Sequence, residues 1–373
     1  MRRVVVPPRP QWRDRVEAIG FDFHTIDNAP YWDETAYWHF DARQIDTLEA
    51  VAEELHEMAV AAAAKIFAED RLERLGITGI AAQLARTSWQ AHEPGLYGRF
   101  DLAWDGVSPP KLLEYNADTP TSLFEAAVIQ WHWLMDAAPH ADQFNSLHEA
   151  LVERWAALAA GQPLHLTCLP PHAEDEGTVR YLEATALEAG LAAKFVALPD
   201  IGWTGRDFLD QDNQRIQNLF KLYPWEWLAE DPFAAHIPQT ETRWIEPAWK
   251  LVLSNKGLLA ALWEMFPGHP NLLPASLDAG RLDTPRRVRK PLFSREGANV
   301  TIFDGATTLH QVPGPYGAEG HVWQEWCPQA VHDGVSVVLG AWMVGEQCCG
   351  LGIREDEGPV TRDTSRFVPH LFE

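Results

Sequence analysis

Arg99, Asp101, Glu114 and Asn116 are the side chains whose types and spacing could do chemistry together, within LYGRFDLAWDGVSPPKLLEYNADTPTSLFE at 96–125. In LYGRFDLAW the residues alternate, so Tyr97, Arg99 and Asp101 point one way and Phe100, Leu102 and Trp104 the other. Asp105-Gly106 and Pro109-Pro110 mark a turn. The return strand KLLEYNAD then sets Leu112, Glu114 and Asn116 on one face. Two neighbouring carboxylates repel unless a cation sits between them. Oxygen donors without Cys or His suit Mg²⁺ or Mn²⁺ rather than zinc, and Mg²⁺ keeps part of its shell for phosphate oxygens. An adjacent arginine suits charge developing on a transferring phosphoryl group. A solvated strand face with an incidental ion pair has the same spacing, and such pairs contribute only about 0–1 kcal/mol. Spacing alone leaves both readings open.

The elements around this hairpin follow from periodicity. Ser122-Leu-Phe-Glu125 has the pattern of a capping box opening a helix to about Met135. The turn Asn116–Thr121 therefore sits at a helix N-terminus, where free N–H groups favour an anion. From Asp41 a long helix carries Leu48, Val51, Leu55, Met58, Ala62 and Ile66 on one apolar stripe. His56 on that helix has no partner four residues on, so it makes no zinc motif. The aromatic-rich residues 10–40 are expected to wrap the core, with His24 and His39 structural. A further helix is expected at 143–160. The stretches PLHLTCL, EGTVRYLEATALEAG and AKFVAL then read as strand, helix and strand, closed by Gly190. Glu174, Asp175 and Glu176 fall at that helix start, where acids serve as a cap and could also face a substrate. QNLFKLYPWEWL at 217–228 reads as an aromatic, lid-like stretch.

Three motifs follow Glu246. In EPAWKLVLSNKG, Ser254-Asn255 are expected to cap a helix that begins at Lys256, putting an ammonium beside free N–H groups. In VRKPLFSREGANVTIF, a glycine loop between two strands is flanked by Lys290 and Arg295 and can close over phosphates. VWQEWCPQ at 322–329 and the two-stranded VVLGAWMVGEQCCGLGIREDEG complete the chain.

Composition bounds the reading. A chain of 373 residues with 46% hydrophobic residues and 17 tryptophans can bury a large core, as one composite unit or about two domains. A formal charge of −23 argues against nucleic acid, whose phosphates need a basic face. The four cysteines, Cys168, Cys327, Cys348 and Cys349, form no C-x-x-C and read as reduced thiols. MRRVVVPPRP lacks the apolar core of a signal peptide, and no stretch approaches the ~18 apolar residues of a membrane span. A cytoplasmic protein is expected, with no membrane partner. Nothing in the pattern sets an oligomeric state.

The run R-x-D, a short turn, then E-x-N-A-D-T-P-T-S resembles the metal and phosphate hairpin of the glutathionylspermidine synthetase family of ATP-grasp ligases. It is more similar still to the stand-alone acid–amine ligase subgroup, which lacks the amidase domain and its cysteine nucleophile. The resemblance extends from about Pro10 to the C-terminus. It implies an α+β protein with an ATP-grasp fold of the glutathionylspermidine synthase type. The core would be 1–161 and 246–373, with a pre-ATP-grasp, Rossmann-like insertion at 162–245. It implies ATP and Mg²⁺, with two ions, held at Asp101, Glu114 and Asn116. Nucleotide contacts would come from Arg99, Phe100, Asp101, Lys256, Lys290, Gly297, Gln324, Glu325, Trp326 and Val360. Here Gln-Glu-Trp stands where relatives show Gln-Gln and an apolar residue, which leaves backbone contacts to the adenine as the expectation. Arg99 and Arg354 match arginines that face the reacting phosphoryl group, and Thr119 matches a substrate-site turn. The implied activity joins a small-molecule carboxylate to an amine through an acyl phosphate. Glutathione and a polyamine are the pair suggested, and another acid or polyamine fits equally. The alternative is a non-catalytic nucleotide- or polyamine-binding protein that retains the fold.

Overall fold

The apolar stripe beginning after Asp41 forms helix Ala42–Ala68, opened by a capping box between Asp41 and Gln44. Its buried residues Leu48, Leu55, Met58, Ala62 and Ile66 pack on one face of a central sheet. A computed structural model describes residues 1–26, 28–159, 161–362 and 364–373 of this mixed α/β chain. The central sheet runs, in spatial order, Arg366–Phe367, Gln347–Asp356, Val335–Val344, Tyr97–Ala103 and Lys111–Asn116, all antiparallel. All ten residues of Val335–Val344 are buried, as a strand covered on both faces should be. Val337, Leu339, Ala341 and Met343 join the core under the long helix. Trp342 and Val344 join a second core with helix Leu147–Ala159 and the ring of Tyr97.

Against one edge of this sheet stands a second antiparallel sheet. Its order is Ala275–Ser276, His321–Glu325, Arg286–Pro291, Thr301–Asp304 and Thr307–Gln311. The third layer is parallel and holds strands Arg243–Ile245, Asn218–Leu222, Leu164–Cys168 and Ala193–Phe195 in that order. Helix Ala173–Glu188 makes the crossover between the third and fourth of these strands, ending before Gly190 (φ +82°). Among the described residues no helix is long and apolar enough to cross a membrane.

Several expectations are corrected. The stretch 217–228 is no lid: its first half is the fully buried strand Asn218–Leu222, interior to the parallel sheet. Lys221 lies inside because Asp118 accepts from its ammonium at 2.6 Å in a buried ion pair. The helix expected at 143–160 is Leu147–Ala159, since Gln143 and Asn145 spend their side chains on chain crossings instead; Ala160 lies outside the described residues. The helix expected at Lys256 begins at Leu258, because the Asn255 side chain accepts from the Gly257 N–H at 2.8 Å.

Candidate active site

Strands Tyr97–Ala103 and Lys111–Asn116 pair with Arg99 opposite Asn116 and Asp101 opposite Glu114. The four side chains form one network. Arg99 donates to both oxygens of Asp101 (2.7 and 3.1 Å), and Asn116 Nδ2 donates to Asp101 (3.1 Å) and Glu114 (3.3 Å). Alternation holds down the first strand and fails on the second. The register shifts after Asp101, so Leu112 pairs with Leu102 in the core and Leu113 lines the cleft. This bulge corrects the expected placement of Leu112 beside Glu114. It also presents two carbonyls, of Leu112 and Leu113, to side chains of the neighbouring sheet.

Those side chains are Gln324 and Lys290. Gln324 Nε2 donates to Leu112 O (3.0 Å), Lys290 Nζ donates to Leu113 O (2.8 Å), and Gln324 Oε1 accepts from Lys290 (2.9 Å). Lys256 arrives from the interhelical turn and stands 2.9 Å from Glu114 Oε2, also donating to Ser294 O (2.7 Å). Asp101, Glu114, Lys256, Lys290, Gly297, Gln324, Glu325, Trp326 and Val360 line one cavity between the two sheets. Arg99 and Phe100 do not line it: Arg99 lies against Asp101 and Thr121 O, and the Phe100 ring stacks on Tyr115 (centroids 3.8 Å apart) in the core on the sheet's far face, because alternate strand residues face opposite ways.

Two glycines shape this cleft. Gly297 (φ +70°) approaches Thr361 O so closely that an added Cβ would lie 2.6 Å from it, which lets the 294–299 loop meet the Val360 rim. Gly340 pairs with Asp101, and an added Cβ there would lie 2.8 Å from Arg99 Cδ. The arginine lies across the space this glycine leaves.

Arg354 pairs with Val338, two residues from Gly340, and so shares the sheet face of Asp101. It donates to Ser365 O (3.0 Å), Arg362 O (2.9 Å) and Ser122 Oγ (3.4 Å), with its guanidinium 5.5 Å from the Tyr31 ring centroid. Arg99 donates to Thr121 O (2.6 Å), so both arginines hold the turn leaving the hairpin. Thr119, on the same turn, accepts from Arg295 at 2.6 Å, and Arg295 also donates to Glu226 at 2.8 Å.

Ser122-Leu-Phe-Glu125 does not form the expected capping box. Ser122 sits at φ +68°, with its hydroxyl 3.1 Å from that of Tyr31. Glu125 accepts from Tyr31 at 2.7 Å and opens a π-helical turn, Glu125–Ile129, before helix Gln130–Ala137. Glu125 Oε2 is buried with no hydrogen-bond partner among the described residues. Tyr31 carries no motif that would single it out. The capping-box pattern pointed to a local role for Glu125, and only the approach of residue 31 redirects it.

Electrostatics follow this packing. Burial pushes the Glu114 carboxyl up, but Lys256 and Lys290 outweigh it and hold it down at about 2. Burial lowers Lys290 to about 8, with Glu114 opposing. Asp101 is raised by burial against the pull of Arg99. Burial, with Glu174 nearby, raises Glu125 to about 8.

Among the described residues no three Asp, Glu, His or Cys side chains cluster as a metal site. The hairpin instead offers two carboxylates, and Asn116, whose Nδ2 faces both of them here, adds an oxygen to the set once its amide is rotated. An ionised carboxylate has about four lone-pair sites, so the hydrogen bonds seen here leave Asp101 and Glu114 with donor capacity. That chemistry fits Mg²⁺ with its remaining positions filled by water and phosphate oxygens.

A family model described as glutathionylspermidine synthase preATP-grasp matches residues 3–373. A Haemophilus influenzae protein named "Putative acid--amine ligase" is 41% identical over 392 residues, covering 100% of each chain. Trypanothione synthetase of Crithidia fasciculata is 30% identical over 353 residues, 86% of this chain and 54% of the relative. The bifunctional glutathionylspermidine synthetase/amidase of Escherichia coli is 26% identical over 349 residues, 85% of this chain and 56% of the relative. The chain thus spans the whole of the first relative and about half the length of the other two.

Proposed function

The chain belongs to the glutathionylspermidine synthase preATP-grasp family, and from that premise we propose that it is an ATP-dependent carboxylate–amine ligase. The observation that carries this reading is the arrival of Lys256 and Lys290, from the far half of the chain, on the carboxylate-bearing hairpin. The architecture we assign is an ATP-grasp core, 1–161 and 246–373, with a pre-ATP-grasp-like insertion at 162–245. The four parallel strands all fall inside that insertion.

In the proposed reaction a substrate carboxylate attacks the γ-phosphorus of ATP, giving an acyl phosphate and ADP. A primary amine then attacks the acyl carbon, forming an amide and releasing phosphate. Lys256 and Lys290 hold the phosphates from the side opposite the hairpin. Arg99 and Arg354 offset charge as it accumulates on the transferring group, and losing one such group typically lowers the rate ~10²–10³-fold. Gln324, Glu325, Trp326 and Val360 border the base, Gly297 carries the loop over the phosphates, and Thr119 faces the substrates. Asp101, Glu114 and Asn116 would hold Mg²⁺, two ions in this reading, which when bound neutralise β- and γ-phosphate oxygens. The four cysteines are free thiols, in keeping with the cytoplasm as the proposed location.

The test is a pool of small carboxylic acids and amines with MgATP, read by ADP release and by new amide masses. ADP release that needs both an acid and an amine, with a product lighter by one water than their sum, supports the ligase. Nucleotide binding without any such release points instead to a non-catalytic binder.

A further inference from the structure

The parallel sheet has a topological switch point. From strand Leu164–Cys168 the chain moves outward to Ala193–Phe195, then returns to place Asn218–Leu222 on the other side. In open parallel sheets, ligands bind beyond the carboxyl ends of the two strands flanking such a switch. The first residues past those ends are Leu169 and Tyr223, and both line two adjoining cavities. One, of 370 Å³, is the cleft that also holds Thr119, Glu174, Asp175 and Arg295. The other, of 270 Å³, is walled by Leu198, Ile201, Phe208, Leu228 and Trp244.

The two differ in how many charged groups line them. The cleft wall has Glu174, Asp175 and Glu296 against His172 and Arg295, and Arg295 already donates to Glu226 at 2.8 Å. The chamber's one charged residue, among those described, is Asp231, whose carboxylate accepts from the Phe233 N–H at 2.8 Å as a helix cap. Two of the large apolar side chains lining it stay open to solvent, Leu169 (44%) and Phe233 (44%). A 150 Å³ apolar cavity suffices for benzene, so this one has room for a phenyl ring and a short linker. A second ammonium inside it would lose its water with only Asp231, an exposed residue already capping the Phe233 N–H, to meet it.

We propose that the chamber receives the uncharged end of a hydrophobic amine, an alkyl- or arylalkylamine whose ammonium stays in the acidic cleft. This rests on the ligase reading for the role of that cleft and adds the substrate class. The probes are 2-phenylethylamine, 1,4-diaminobutane and 3-phenylpropanoate, titrated calorimetrically into the full chain. The variants are Ile201→Trp, which fills the chamber, and Leu169→Ser, at a solvent-open position that folding does not depend on.

The parent should bind phenylethylamine at least ~10-fold more tightly than either other probe, a gap of about 1.4 kcal/mol. Ile201→Trp should remove that advantage with diamine binding unchanged, and Leu169→Ser should reduce it at least ~3-fold. If Ile201→Trp does not fold, Leu169→Ser decides alone. Equal or tighter binding of the diamine or the acid overturns the proposal, as does no binding of phenylethylamine, or parent-like binding in a folded Leu169→Ser. A chain that binds phenylethylamine as described yet never shows amine-dependent ADP release keeps the chamber and loses the ligase reading. One that forms amides from diamines alone keeps the ligase and loses the chamber.

Discussion

Glu125 shows how a single residue's surroundings overrule its local pattern. Read along the chain it caps a helix; in the fold it is a buried acid under Tyr31, near Glu174, raised to about 8. The sign of its effect on stability follows. The folded state keeps its proton while the unfolded chain loses it near the ordinary carboxylate value, so the folded state binds more protons between about 4.5 and 8. Its contribution is full at acid pH and lost as pH rises through 8. Glu125→Gln, which imitates the protonated form, should therefore gain on the parent as pH rises from ~5 to ~8, by up to about 1.4 kcal/mol per pH unit. Urea unfolding at three pH values measures this, and a pH-independent difference would contradict it. Tyr31 carried no signal at this scale, one aromatic among many in residues 10–40.

Among elements, the hairpin was the most legible. Period-two alternation, the Asp-Gly turn and paired prolines placed both strands and put Arg99, Asp101, Glu114 and Asn116 on one face, as found. The bulge at Leu113 was not legible, because two residues facing one is settled by what docks against the strand, here Gln324 and Lys290. Nor did the sequence mark 217–228 as interior, since a buried lysine reads as polar until its partner Asp118 is known. The central strand Val335–Val344 makes its contribution through an absence of side chain at Gly340. Gly340→Ala should displace Arg99 and lower ligase turnover at least ~10-fold, about 1.4 kcal/mol of transition-state stabilisation. The fold should survive, so circular dichroism should match the parent; turnover within ~2-fold of the parent would show that Arg99 needs no such room.

At the scale of the whole molecule, the site exists because two sheets from distant parts of the chain close on each other. Lys290 reaches a carbonyl 177 residues earlier in the chain, which no local period could foretell. Family resemblance, rather than spacing, linked the lysines to the hairpin. Elsewhere burial lowers two histidines, His370 within the fold to about 3 and the half-buried His56 to about 4. Unfolded histidines take up a proton near pH 6.5, while these stay neutral in the fold. The unfolded chain then binds more protons from about 6.5 down to those values, and stability present above pH 6.5 is lost on acidification. The melting temperature should fall between pH 7 and 5, with Glu125 opposing part of the fall, and His370→Asn should flatten it. An unchanged slope in that variant would place the acid sensitivity elsewhere.

The meeting of hairpin and lysines is tested most directly by calorimetric titration of a non-hydrolysable ATP analogue, with and without Mg²⁺. The parent should bind it with a clear Mg²⁺ dependence; Lys290→Met should weaken binding at least ~10-fold, and Glu114→Gln should abolish the Mg²⁺ dependence. Parent-like affinity in folded Lys290→Met, or undiminished Mg²⁺ dependence in Glu114→Gln, would contradict a nucleotide site at this cleft.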